Sequence, residues 1–115
     1  MIYVFDIDGT ICSIVPIDSY DKAIPNLTVI RRINRLYDSG NTIYFYTGRH
    51  SNKKKVTEEW MRKHKVKYHK IFYNKPKADI YVDDLAINSL RYLRKPNYWD
   101  KIFKKRGDYI RKAIK

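Results

Sequence analysis

The chain has 115 residues, 43% of them apolar, and a formal net charge of +13. That length is expected to form one domain around a single hydrophobic core. One cysteine, Cys12, excludes an internal disulfide and a cysteine metal cage, and no apolar run is long enough to span a membrane.

The charge favours anionic partners: phosphorylated metabolites, nucleic acid or an acidic membrane face. It is uneven. Residues 91–115 hold ten Lys/Arg against Asp100 and Asp108, and the span Arg49–Lys77 holds eleven against Glu58 and Glu59. Eleven tyrosines suit core edges, where the ring is buried and the hydroxyl stays wet. No signal peptide precedes the first strand, so a cytoplasmic location is expected. Cys12 reads as a small buried side chain.

Ile2 to Phe5 is an apolar run that reads as a buried strand. It leads into Asp6-Ile7-Asp8-Gly9-Thr10. In extended chain, alternate side chains share a face, so Asp6 and Asp8 start on the same side. Two carboxylates that close repel unless a cation lies between them or one holds a proton. Gly9 allows a sharp turn away. Ile11 to Pro25 reads as a polar loop, too short for an inserted domain. A helix follows, with Asn26 as its N-cap, an inner face of Ile30, Ile33, Leu36 and Tyr37, and Gly40 just past its end.

Thr42 to Tyr46 is the second strand and runs into Thr47-Gly48-Arg49. A basic helix over about 53–65 places Val56, Trp60 and His64 toward the core. Lys53, Lys54 and Lys55 stand near its start, where the helix dipole disfavours cations. Ile71 to Tyr73 is a short third strand, followed by the turn Asn74-Lys75-Pro76-Lys77. Ile80 to Val82 reads as a fourth strand ending in Asp83-Asp84. Strands alternating with helices predict a parallel α/β sheet with helices on both faces. In the tail, Trp99, Ile102, Phe103, Tyr109, Ile110 and Ile114 alternate with lysines, and Gly107 is expected to break it into two short helices.

Parallel α/β sheets bind ligands beyond the carboxyl ends of their strands. Asp6, Asp8, Thr47, Lys75, Asp83 and Asp84 all fall at such places. Phosphate-ester hydrolysis fits them. Asp6 can attack phosphorus, and Asp8 can protonate the leaving oxygen and then deprotonate water. Magnesium, an oxygen-loving ion that keeps several waters, can be held by Asp6, the carbonyl of Asp8 and one of Asp83 and Asp84. Gly48 suits a close backbone approach to phosphate, and Arg49 can reach substrate as a fork of donors. Two adjacent acids at a strand end are costly without a cation, which argues against a mere turn at Asp83-Asp84. His50, His64 and His69 have no metal-ligand spacing.

These stretches resemble the four signatures of the haloacid-dehalogenase-like phosphatases, and over about residues 1–90 the chain resembles a small capless group linked to surface-polysaccharide synthesis. The resemblance implies a compact Rossmann-like core over 1–95 without a cap domain, leaving 96–115 as a basic amphipathic extension packed on the core or on a second subunit. It implies that the Thr47 hydroxyl donates to the phosphoryl group. It favours Lys75 over Lys77 as the phosphate-site lysine, through Lys75-Pro76-x-Ala78-Asp79. It favours Asp84 as the direct metal ligand, with Asp83 behind it. The activity implied is a magnesium-dependent phosphomonoesterase with an aspartyl-phosphate intermediate, acting on a small metabolite such as a sugar phosphate. The alternatives are a phosphatase of nucleic-acid ends, which the charge favours, and a non-catalytic binding module. A homo-oligomer through the extension is a further expectation.

Overall fold

The computed structural model describes residues 1–113, apart from the side chains of Tyr109, Ile110, Arg111 and Ala113. The side chains of Tyr109 and Ile110, and the whole of Ile114, therefore lie outside what is described. The chain divides into two units, Met1–Lys77 and Ala78–Lys115.

The first unit holds a parallel three-stranded sheet in the order β1 (Ile2–Phe5), β2 (Thr42–Tyr46), β3 (Lys70–Phe72). Phe5 pairs with Phe45, and Tyr46 with Phe72, so the carboxyl ends of the strands lie side by side. Parallel neighbours need a crossover, and helices supply both: α1 (Leu27–Asp38) between β1 and β2, α2 (Lys54–Lys63) between β2 and β3. This is the α/β, Rossmann-like arrangement expected.

Local chemistry explains α1. Asn26 Oδ1 accepts from the Val29 N–H at 3.3 Å, and Val29, Ile30, Ile33 and Leu36 are buried. Gly40 follows the helix at φ +91°, a conformation that side chains resist. Ile33, Ile43 and Phe45 are fully buried. Each such side chain contributes about 1.5–3 kcal/mol through removal from water.

The stretch expected as plain loop has more order. It contains a 3-10 turn, Ile17–Lys22. Its two ends pair, with Ser13 N–H on the Ile24 carbonyl at 2.9 Å and Asn26 N–H on that of Ile11 at 2.8 Å. The buried Trp60 of α2 donates from Nε1 to the Ala23 carbonyl of this stretch at 2.9 Å.

In the second unit, α3 (Ser89–Arg94) is capped by Asn88, whose Oδ1 accepts from the Leu90 N–H at 3.0 Å. The Tyr92 hydroxyl, carried on α3, donates to Asp100 of α4 (Pro96–Ala113) at 2.7 Å. Arg91 lies 4.7 Å from the centre of the Trp99 ring. Two expectations fail here. Ile80 to Val82 forms no strand: the apolar run has strand propensity, but a strand exists only with a ladder partner, and no pairing forms. Gly107 does not divide the tail, because α4 runs through it. A glycine inside a helix costs about 1 kcal/mol, which neighbouring turns can absorb.

Candidate active site

β1 ends by delivering Asp6 and Asp8 to one region, with Ile7 between them fully buried. The chain then turns tightly. The Ile7 carbonyl accepts from the N–H groups of Thr10 and Ile11 at 3.1 and 3.0 Å, and Gly9 takes φ +81°. Asp6 and Asp8 are both half-buried.

Asp6 Oδ1 accepts from the Ile7 N–H at 2.9 Å. Burial is the main influence on this carboxyl and pushes its pKa above the ordinary value; the charge of Lys75 opposes that, and Asp8 adds to it. The carboxylate is thus short of compensating positive charge.

Asp8 is held differently. Arg49 Nε donates to Oδ2 at 3.0 Å and Nη2 to Oδ1 at 2.8 Å, a two-pronged ion pair. The guanidinium is almost wholly buried. Its Nη1 donates to Thr57 Oγ1 on α2 at 3.1 Å, and the Tyr20 ring lies 3.8 Å from its carbon. Sequence reasoning expected this fork to face substrate; here its donors go to Asp8 and Thr57. It gave no role to Tyr20 or Thr57, and no local signal marks them, because they meet Arg49 only through the fold.

Thr47, fully buried at the end of β2, accepts on Oγ1 from the Arg49 N–H at 3.1 Å. Its hydroxyl hydrogen remains to be donated. Two main-chain bonds extend the β2–β3 pairing beyond the strands: Thr47 N–H to the Phe72 carbonyl and Lys75 N–H to that of Thr47, both 2.9 Å. Asn74, at φ +61°, donates its N–H to the Arg49 carbonyl and accepts from Ser51 N–H. These bonds seat Lys75 beside Thr47, and its ammonium acts on Asp6. A side chain at Gly48 would meet the Lys75 carbonyl at 3.9 Å, an ordinary contact, so packing does not demand glycine there.

Cys12 is buried, and its thiol pKa is pushed up to about 11, by burial first and then by Asp8. It stays protonated, as a structural residue should. His50 caps a short turn, its Nδ1 accepting from the Asn52 N–H at 3.2 Å. His69 Nδ1 accepts from the Ile43 N–H at 3.0 Å. In the second unit, Asp83 and Asp84 are exposed, and Asp83 Oδ1 accepts from the Leu85 N–H at 2.9 Å. The backbone bends at Asp84 and Leu85.

Among the described residues, no group of three or more His, Cys, Asp or Glu gathers as a metal cluster. The first unit therefore does not offer an all-protein cage. The half-buried Asp6 carboxylate is the kind of oxygen donor that suits a hard cation keeping most of its waters.

No protein-family model and no curated protein sequence matches the chain. Solved structures do. A crystal structure of a structural-genomics target from Vibrio cholerae superposes with a TM-score of 0.73 at 23% identity, covering 91% of this chain and 98% of that one. A chain of the Pnkp1/Rnl/Hen1 complex gives a TM-score of 0.57 at 19% identity, over 82% of this chain and 33% of that one. A second structure of that assembly, described as an RNA repair complex, gives the same score and identity over 31% of the neighbour. This chain spans about a third of the length of those two neighbours. At these identities the likeness is one of fold, and the fold it establishes is the Rossmann-like α/β arrangement described above.

Proposed function

We propose that this chain is a magnesium-dependent phosphomonoesterase working through an aspartyl-phosphate. The observation that carries the reading is the convergence of Asp6, Asp8, Thr47 and Lys75 at the carboxyl ends of adjacent parallel strands, with the Lys75 charge acting on Asp6. The fold likeness to a component of an RNA repair assembly is compatible with it.

In this reading an Asp6 oxygen attacks phosphorus in line with the ester bond, and the P–O bond to the leaving group breaks. Asp8 gives its proton to the departing oxygen. Water then attacks phosphorus, loses a proton to Asp8, and displaces phosphate from Asp6. Thr47 and Lys75 hold the phosphoryl oxygens and offset their charge. Magnesium, held by Asp6 and the Asp8 carbonyl, would supply further neutralisation of the phosphoryl group. For Asp84 and Asp83 a ligand role rests on the resemblance alone.

The favoured substrate is a small phosphorylated metabolite such as a sugar phosphate. The second reading, a nucleic-acid end, is favoured by the +13 charge. A panel of phosphate esters assayed with magnesium tests both. Turnover is expected on at least one class and is expected to vanish with a chelator. Manganese should restore part of it, because oxygen sites select weakly among such ions. Full rates after thorough chelation would remove the metal from the proposal. No turnover on any ester would remove the enzyme. Affinity that falls steeply with salt marks a nucleic-acid substrate, since bound counterions are released.

A further inference from the structure

Arg49 is a costly residue to bury. It is 2% exposed, and nothing in ordinary packing requires a guanidinium there. Its surroundings use every face. Two donors grip Asp8, a third nitrogen donates to Thr57, its own N–H holds Thr47, and Tyr20 covers the flat surface.

The geometry has a chemical consequence. Each carboxylate oxygen has two lone-pair directions. Arg49 takes one on each Asp8 oxygen and fixes the plane of the group. The Cys12 thiol also donates to Oδ1, at 3.8 Å, so the lone pair left over is on Oδ2 and points away from Arg49 in a set direction. A proton there is held for transfer, and a freely rotating carboxyl would present it only part of the time.

We propose that Arg49 is the positioning residue of Asp8: its two-pronged grip, stiffened by Thr57 and Tyr20, aims the carboxyl for proton transfer to and from the reacting oxygens. The proposal rests on the phosphatase reading and deepens it. It moves Arg49 from substrate binding, where the reading of the sequence put it, to control of the acid–base group. In the transfer, the bond from phosphorus to the leaving oxygen breaks as that oxygen takes the Asp8 proton, and Asp8 returns to the carboxylate that Arg49 already holds.

The test uses two esters in the full-length protein. With p-nitrophenyl phosphate the leaving group departs without help; with an alkyl phosphate such as glycerol phosphate it needs a proton. Arg49→Lys keeps a positive charge but loses the fork. It is expected to lower kcat on the alkyl ester by about 100-fold, the lower range for lost general acid catalysis. On the nitrophenyl ester the loss should be below about fivefold, well under that range. In an Asp8→Asn background, Arg49→Lys should add almost nothing, because a group with no proton to aim gains nothing from aim. Tyr20→Leu removes only the covering ring and should show the same ester dependence more weakly. It decides the matter if circular dichroism shows that Arg49→Lys does not fold. Equal losses on both esters, or losses that multiply with Asp8→Asn, would mean that Arg49 serves substrate or the fold, and would overturn the proposal. A wild-type protein inactive on both esters overturns the phosphatase reading itself, a result separate from equal losses in an active one.

Discussion

Asp6→Asn is expected to abolish turnover and, in chelating buffer at neutral pH, to raise the melting temperature. The first effect follows, in the proposed mechanism, from the loss of the attacking oxygen. It should reach at least about 10^4-fold, the scale seen when a covalent nucleophile is removed. The second follows from electrostatics. Burial raises the Asp6 pKa in the folded protein above its unfolded value, so the folded state binds the proton more tightly. Stability from this group is therefore fully present below the unfolded pKa and is lost as pH rises through the folded one. Asparagine has no charge to desolvate and escapes that loss. The wild type and the variant should converge as the buffer is acidified through the carboxyl range. Melting curves of both proteins with chelator, from acid to neutral pH, check this. A variant that melts lower than wild type at neutral pH would show that Asp6 is well compensated, and appreciable turnover from undeamidated variant would end the covalent mechanism.

Trp60→Ala is expected to cost the most stability. Trp60 is 3% exposed and holds the Ala23 carbonyl through Nε1. Losing so large a buried ring costs about 3–5 kcal/mol. The orphaned carbonyl, on a residue that is itself buried, adds about 1–3 kcal/mol. For a domain of this size that is a drop of well over 10 °C, at roughly 4–8 °C per kcal/mol. Trp60→Phe separates the two terms, since it keeps most of the volume and loses the donor. The ring also anchors the segment that carries Tyr20. Residual activity of the phenylalanine variant should therefore fall more on alkyl than on nitrophenyl esters. A Trp60→Ala protein that melts within about 3 °C of wild type, less than the shift expected from 1 kcal/mol, would show that the ring is not a structural anchor.

Much of the first unit was legible because its signals are local. An apolar run ending in two acids, a cap asparagine before a periodic stretch, and glycine after it each act over a few residues. So β1, α1 and β2 fall where periodicity places them, and α2 within a residue or two. Ile80 to Val82 shows the limit. Its apolar residues read like those of β3, but β3 joins the sheet beside Tyr44, Phe45 and Tyr46, and this run lies outside the three described strands. Pairing is not written in either segment alone. The acids of the candidate site were visible for the same reason that β1 was. What surrounds Asp8 was not. Tyr20, Arg49 and Thr57 lie 12, 41 and 49 residues away in sequence, and only the crossover through α1 brings the last two to it.

The loops that follow β2 and β3 share four bonds, from Thr47, Lys75, Asn74 and Ser51. Neither loop can open without the other, so they form one exchange unit. Deuterium should enter the amides of Thr47, Asn74 and Lys75 at matched rates, slower than loop amides usually do. Any motion that withdraws the lysine then also carries off the threonine. In the proposed phosphatase, the two groups that would hold phosphate are then expected to be lost or kept together.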